Sequence, residues 1–343
     1  MTPNNIIKVT AESNKKRLDI FLSENTVFSR SQIQKMIKNK MIMINDKLPK
    51  KTGDQIKTDD TITIMDIGAT AVDNNQEQAE KQVQETQFTI NDIGIIKETD
   101  DYLIINKPTG LIAHPTEKNE TNTLSGLLVK KYPELENVGD DKMRPGIVHR
   151  LDKDASGLLV VARTQIMFEH LKNQFKNREI HKEYTILVHG AIEADYDKIN
   201  FPIVRGKNNE RMTALPIPKS IREQEAKLKD YKKMSHVQKQ YEKSRDALTE
   251  FWIEKRFINF TLLKVKIHTG RMHQIRVHML AYNHPVVGDN IYWQKNQKRK
   301  ADELCGRLFL HSTTLGFEDL NGDSKIFNSD LPNDLKEFLK TIK

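Results

Sequence analysis

The sequence predicts a chain of mixed helices and strands in two parts. Three observations carry that reading: short apolar runs of strand length, apolar stripes at helical spacing, and a polar stretch that sets a basic first segment apart from the rest. At 343 residues there is length for two or three domains with one sizeable core. The net charge of +8 and the pI near 9.2 point to a polyanionic partner, and the 30% of charged residues shows acids interspersed with the bases, which favours nucleic acid over a membrane surface. The single cysteine, Cys305, excludes an internal disulfide framework and fits a reducing compartment. The opening MTPNNIIKVTAESNKK has no apolar signal core and is poor in arginine, and no apolar run approaches the roughly 18 residues that span a bilayer. A soluble, cytoplasmic chain is expected.

Taken in order, residues 17–22 read as a short helix after a polar lead. SRSQIQKMIKNK follows, with Ser29 as N-cap, Gln32 three residues on, and one apolar stripe of Ile33, Met36 and Ile37. Arg30, Lys35, Lys38 and Lys40 lie off that stripe. Residues 41–44 and 61–64 read as strands, parted by turn signals at Asn45-Asp46 and Thr52-Gly53-Asp54. Residues 1–64 carry about twelve lysines and arginines against about seven acids, which is either a phosphate-tracking surface or a solvated helix face. Residues 66–87 are rich in Asp, Asn, Gln and Glu, bury too little to offset chain entropy, and are expected to be a flexible linker.

The second part opens with a strand over residues 102–106 and a turn, Lys107-Pro108-Thr109-Gly110-Leu111, then His114-Pro115. Its centre is RPGIVHRLDKDASGLLVVART, residues 144–164. The apolar run in residues 157–162 reads as a buried strand, so Asp152 stands in a loop at the edge of a rigid core. Arg150 and Lys153 flank it; they favour its ionised form and would draw a polyanion toward it. On local chemistry alone, Asp152 is equally a turn cap paired with Arg150. Tyr184 precedes a strand at residues 186–188. Leu228, Tyr231, Met234, Val237 and Tyr241 recur at helical spacing in a charged segment, 216–248, which is expected to be a helical insertion. Residues 260–267 alternate as a strand, residues 273–280 continue as a helix, and residues 331–339 close the chain as another. His268, His273 and His278 are five residues apart, which turns each by about 140° on a helix, so no metal site is expected.

HRLDKDASGL resembles the HRLD-x-x-[TS]-SGL signature of the RluA-type pseudouridine synthases, with Asp152 at the aspartate. Three further stretches resemble that family's motifs in order: Asn106 to Pro115 its NKP-x-GL-x-x-HP, Lys182-Glu183-Tyr184 its K-x-Y, and TGRMHQIRVH its TGR-x-HQ-[IL]-R-x-H. Ala155 and Met272 depart from the family's usual threonines. The first segment resembles an S4 RNA-binding domain. The resemblance implies a mixed, largely antiparallel sheet in an α+β catalytic domain, residues 88–343, after an S4-like domain, residues 1–65. It implies that Asp152 is the nucleophile, that Arg276 pairs with it, and that Tyr184 stacks on the base and takes part in the final proton removal. Arg150 would fill the space left by the flipped uridine. Arg17, Arg30, Lys35 and Lys38, with Lys107 and Arg271 inside the catalytic motifs, are the other expected RNA contacts.

The implied reaction is isomerisation of uridine in bacterial 23S ribosomal RNA or a pre-ribosomal particle, with no metal, nucleotide or other cofactor. Three alternatives stand beside it: a catalytically impaired S4-type assembly factor, to which Ala155 and Met272 would be the clue, a synthase acting on tRNA, and a glycoside hydrolase using Asp152 and Asp154.

Overall fold

The computed structural model describes residues 3–10, 14, 16–26, 28, 30–39, 41–49, 51–65, 87–115, 120–206, 211–215, 243–294 and 299–342. The chain forms two compact units, Met1–Glu85 and Thr86–Lys343. Ser29 as a cap, the expected linker up to residue 86, and residues 216–242 of the expected insertion lie outside the described residues. At the end of that insertion Arg245 pairs with Ile203 in a single bridge instead of continuing a helix.

In the first unit, β1 (Pro3–Lys8), α1 (Leu18–Asn25), α2 (Arg30–Lys38), β2 (Ile42–Ile44) and β3 (Thr61–Met65) follow one another. The strands form one sheet in the order β1-β3-β2, all antiparallel. Both helices pack on it through Leu18, Phe21, Leu22, Ile33, Met36 and Ile37, the expected stripe included. β1 was not expected: PNNIIK has no alternation, and its pairing with β3 supplies what its own pattern lacks.

The second unit is built on β4 (Gly94–Glu98), β5 (Tyr102–Lys107), α3 (Leu124–Lys131), β6 (Ser156–Ala162), α4 (Gln165–Asn177), β7 (His181–His189), β8 (Tyr196–Ile199), β9 (Ile203–Arg205), β10 (Met212–Ala214), β11 (Thr249–Arg256) and β12 (Phe260–Ile267). It continues with α5 (Gln274–Ala281), α6 (Lys300–Cys305), β13 (Leu310–Glu318), β14 (Ser324–Asn328) and α7 (Asn333–Thr341). Among the described residues its main sheet has nine strands, in the order β4-β5-β6-β13-β7-β12-β11-β8 with β14 beside β13. Only the β6–β13 contact is parallel, so the sheet is mixed and largely antiparallel, as expected.

Both faces of the middle strands are covered, which is why they read as continuous apolar runs and not as alternating ones. On β5 and β6, Leu103, Ile105, Leu159 and Val161 join α3 and α5 on one side, while Ile104, Leu158 and Val160 join Met167, Phe168 and Leu171 of α4 on the other. α4 starts at a cap, the Thr164 hydroxyl accepting from the Met167 amide at 3.2 Å.

Among the described residues, two histidines of this unit are fully buried. His278 on α5 donates from Nε2 to the Phe201 carbonyl and meets the Thr249 hydroxyl at Nδ1, each at 2.9 Å; His311 on β13 meets the Ser156 hydroxyl at 2.8 Å. Burial pulls both imidazoles from 6.5 down to about 4. Protons therefore bind the unfolded chain first, and stability that is present above pH 6.5 is lost as pH falls toward 4. Each histidine contributes up to about 1.4 kcal/mol per pH unit in that window. Lowering the pH from about 6.5 to 5.5 is expected to cost roughly 2 kcal/mol and several degrees in Tm. A flat melting temperature over that interval would show that these histidines ionise in the fold.

Candidate active site

The loop before β6 is held from both ends. Leu151 and Ala155 are buried in the core, so the Asp152 side chain between them is left 19% exposed at the cavity wall. In β6, Gly157 follows Ser156 at φ +114°, where a Cβ would run into the Ser312 backbone. That close approach places Gly157 beside Ser312 of β13, and Ser312 in turn beside Tyr184 of β7. The register thus brings the start of β6, which the Asp152 loop leads into, within two strands of Tyr184.

The turn after β5 staples the same loop. The Gly110 amide donates to the Lys153 carbonyl at 2.8 Å and the Thr109 hydroxyl to the Asp154 carbonyl at 2.7 Å. Lys107, one of the expected RNA contacts, is fully buried and turned inward. Its ammonium donates to the carbonyls of Pro108, Leu111 and Lys153 at 2.8, 2.9 and 3.1 Å, tying turn to loop. Burial lowers its pKa to about 7, against the charges of Asp152 and Asp154, which pull it up.

α5 supplies the facing cation. Arg276, 2% exposed, reaches the Asp152 Oδ2 with Nη1 at 3.2 Å. Its bidentate partner is a different carboxylate, Asp289, at 2.7 Å from Nε and 2.8 Å from Nη2. Asp289 is itself buried and accepts the amides of Ile291 and Tyr292 at 2.8 and 2.9 Å, and the Tyr292 ring lies 5.1 Å from the guanidinium. Burial alone would lower the pKa of Arg276, but the bond to and charge of Asp289, with Asp152 behind it, raise it above its ordinary value. Arg276 is therefore fixed by Asp289 and offers one N–H to Asp152. Asp289 was missed as a site residue; the buried-looking PVVGD run after α5 is its only trace in the sequence.

Asp152, Tyr184, Arg150, His273, Arg276 and Leu310 line one cavity of about 270 Å³, and Asp152 is the one carboxylate among its lining residues. Asp154 is not part of that wall, so the paired carboxylates of a glycosidase are not assembled there. Tyr184 is 6% exposed, and burial, then the Asp152 charge, raise its phenol well above the ordinary value. His273 sits at a left-handed cap of α5 with φ 56°, its Nδ1 2.8 Å from the Tyr292 hydroxyl and its Nε2 4.0 Å from Asp152. His268 instead meets Glu250 at 2.8 Å, and with His278 in the core the three histidines have separate partners.

A second cavity of about 450 Å³ shares Arg150, Tyr184 and Arg271 with the first. Arg144, Lys176, Arg178 and Lys182 complete its six lysines and arginines, and no carboxylate is among its lining residues. Arg150 lies 3.0 Å from the His114 Nε2, and Arg271 donates from Nε to the Asp246 carbonyl at 3.1 Å. In the other unit, Arg17 and Arg30 are half exposed and both held by the buried Asp19, at 2.9 and 3.0 Å. The Arg17 bond foremost keeps that carboxyl well below its usual range despite burial. The side chains of Lys35 and Lys38 on α2 are outside the described residues.

A family model described as RNA pseudouridylate synthase matches residues 101–281. The Bacillus subtilis protein named uncharacterized RNA pseudouridine synthase YlyB is 33% identical over 343 residues, covering 99% of either chain. Ribosomal large subunit pseudouridine synthase D of Borreliella burgdorferi is 32% identical, with 97% of this chain and 91% of that protein covered. Among solved structures, human RNA pseudouridylate synthase domain containing 4 shares the fold at 23% identity, with a TM-score of 0.56 over 73% of this chain and 94% of that one. The family match spans the loop, the strand and the helix that meet at Asp152, the identity runs along nearly the full length, and the chain belongs to the RluA-type RNA pseudouridine synthases.

Proposed function

We propose that this synthase isomerises uridine in large-subunit ribosomal RNA, free or in an assembling particle, with Asp152 as the reacting carboxylate. The observation that carries the reading is the cavity in which Asp152, the sole carboxylate of the wall, meets Arg276 at 3.2 Å with Tyr184 beside it. The ribosomal part of the proposal rests on the Borreliella burgdorferi relative, which is named for that substrate. In this reading residues 1–65 act as an S4-like unit whose Arg17 and Arg30, held in place by Asp19, contact phosphates without reading sequence.

The uridine leaves its stack for the cavity, Arg150 takes the vacated place, and the base lies against the Tyr184 ring. Asp152, kept oriented by Arg276, assists cleavage of the bond from N1 to C1′. The uracil turns, C5 joins C1′, C5 loses its proton and N1 gains one. Substrate and product are isomers, so no electron donor or acceptor enters the balance. The raised pKa of Tyr184 keeps its phenol protonated, and it can take the C5 proton only while passing its own on.

Tyr184→Phe keeps the stacking face and is expected to bind RNA normally but to release the C5 proton about 10²-fold more slowly; release at the wild-type rate would remove the hydroxyl from the reaction. Large-subunit rRNA transcripts tritiated at uridine C5 test the substrate. Release from rRNA with pseudouridine at a mapped position is expected, and release from tRNA alone would overturn the ribosomal assignment.

A further inference from the structure

Lys182 opens the K-x-Y stretch on β7, two residues before Tyr184, and the reaction described above gives it no task. The residue is 8% exposed, and its Nζ lies over the Phe175 ring, 5.1 Å from the ring centre. It lines the cavity of about 450 Å³ that Tyr184 and Arg150 also line. Among the described residues its ammonium group has neither a hydrogen bond nor an ion pair; the Phe175 ring is its one cation contact. This is unusual chemistry, because a buried cation ordinarily has a carboxylate or carbonyls around it, as Lys107 has three carbonyls.

The surroundings deepen the deficit. His149, on the same wall, accepts the Val160 amide at Nε2 at 3.1 Å and stacks on Phe175 with ring centres 4.7 Å apart; burial first, then the Lys182 charge, lower its pKa to about 3, so it is neutral. Lys176, in the last turn of α4, and Arg178, at its left-handed cap with φ 65°, line the same cavity. Desolvation pulls the Lys182 ammonium down to about 8, with no negative group offsetting it. Nζ keeps some contact with the cavity, so the folded protein presents a partly desolvated cation with no counter-ion among the described residues.

We propose that Lys182, with Lys176 and Arg178 at the end of α4, forms a phosphate subsite that seats the RNA backbone next to the flipped uridine. The proposal rests on the reading of the Asp152 cavity as the uridine site, since the two cavities share Tyr184 and Arg150. Lys182 is a positioning residue, in that it holds the strand from which the uridine turns into the cavity and does not touch the reacting atoms.

The test compares wild type, Lys182→Met and Lys182→Arg, binding a mixed-sequence single-stranded RNA oligonucleotide by fluorescence anisotropy across a salt series, with Tm measured on each free protein. Lys182→Met is expected to weaken binding about tenfold and to lower the slope of log K against log salt by about 0.7, the loss of one single-strand phosphate contact. Its Tm should be unchanged or higher, because a stem of similar shape remains and an uncompensated charge is gone. Lys182→Arg should restore the slope, and in tritium release measured over a range of rRNA concentrations the Met variant should show a raised KM with kcat near wild type.

A lowered Tm with the salt slope unchanged would make Lys182 a packing residue and overturn the subsite. An unchanged slope at unchanged Tm would overturn it equally. A wild type that binds RNA but releases no tritium would strike the function proposed above, whereas a Lys182→Met slope equal to wild type strikes this inference alone.

Discussion

Asp152→Asn is expected to lower turnover at least about 10³-fold while RNA affinity stays within about twofold of wild type. The amide keeps the size of the side chain and an oxygen for the Arg276 N–H, which reaches Asp152 at 3.2 Å, so the loop should hold its shape. What is lost is the negative charge, and among the described residues no other carboxylate lines the cavity to replace it. Neither nucleophilic attack nor proton removal can be carried by a neutral amide, so the result does not depend on which of these Asp152 performs. Single-turnover tritium release, with binding measured in parallel, checks it. Turnover within tenfold of wild type would move the chemistry to another residue.

Asp289→Ala should produce the opposite pattern, a loss of stability that carries activity with it. Arg276 is 2% exposed and spends two N–H groups on Asp289, so removing that carboxylate leaves a buried cation with the single contact to Asp152. Breaking one partner of such a pair costs roughly 3–5 kcal/mol, which corresponds to a fall of about 10 °C in Tm for a unit of this size. The amides of Ile291 and Tyr292 lose their acceptor in the same step. Asp152→Ala, by contrast, removes a part-exposed group with one N–H from Arg276 and should cost no more than about 1 kcal/mol. Thermal melts of the two variants therefore separate the anchoring carboxylate from the reacting one. Pairing Asp289→Ala with Arg276→Met should recover much of the stability without restoring turnover, because the stranded charge is then gone. Equal melting temperatures for Asp152→Ala and Asp289→Ala would show that Arg276 is not held as described.

The strands that frame the site were legible where their own residues carried the information. Leu158, Leu159, Val160 and Val161 cannot be solvated cheaply at that length, and the alternation of residues 260–267 needs one face in a core, so β6 and β12 could be read before any fold was known. β8, with the sequence YDKI, and β14, with SKIFN, carry too little apolar content to read alone; they are strands because β11 and β13 offer them partners. Cross-strand pairing is a property of the assembled sheet.

The site divides in the same way. The motifs of a family resemblance singled out Asp152, Tyr184 and Arg276, and through that resemblance the sequence by itself determined the reaction class and the mixed, largely antiparallel sheet. Tertiary structure alone decided their company: Asp289 as the holder of Arg276, Lys107 as an internal staple, and Lys182 as a largely buried cation with no anion among the described residues. A lysine is the same letter whether three carbonyls surround it or none. Its energy depends on neighbours that are distant in the chain, since the partners of Lys107 include Lys153 and that of Arg276 at Asp152 is 124 residues away. Desolvation and charge pairing act through space, and only the folded chain sets those distances.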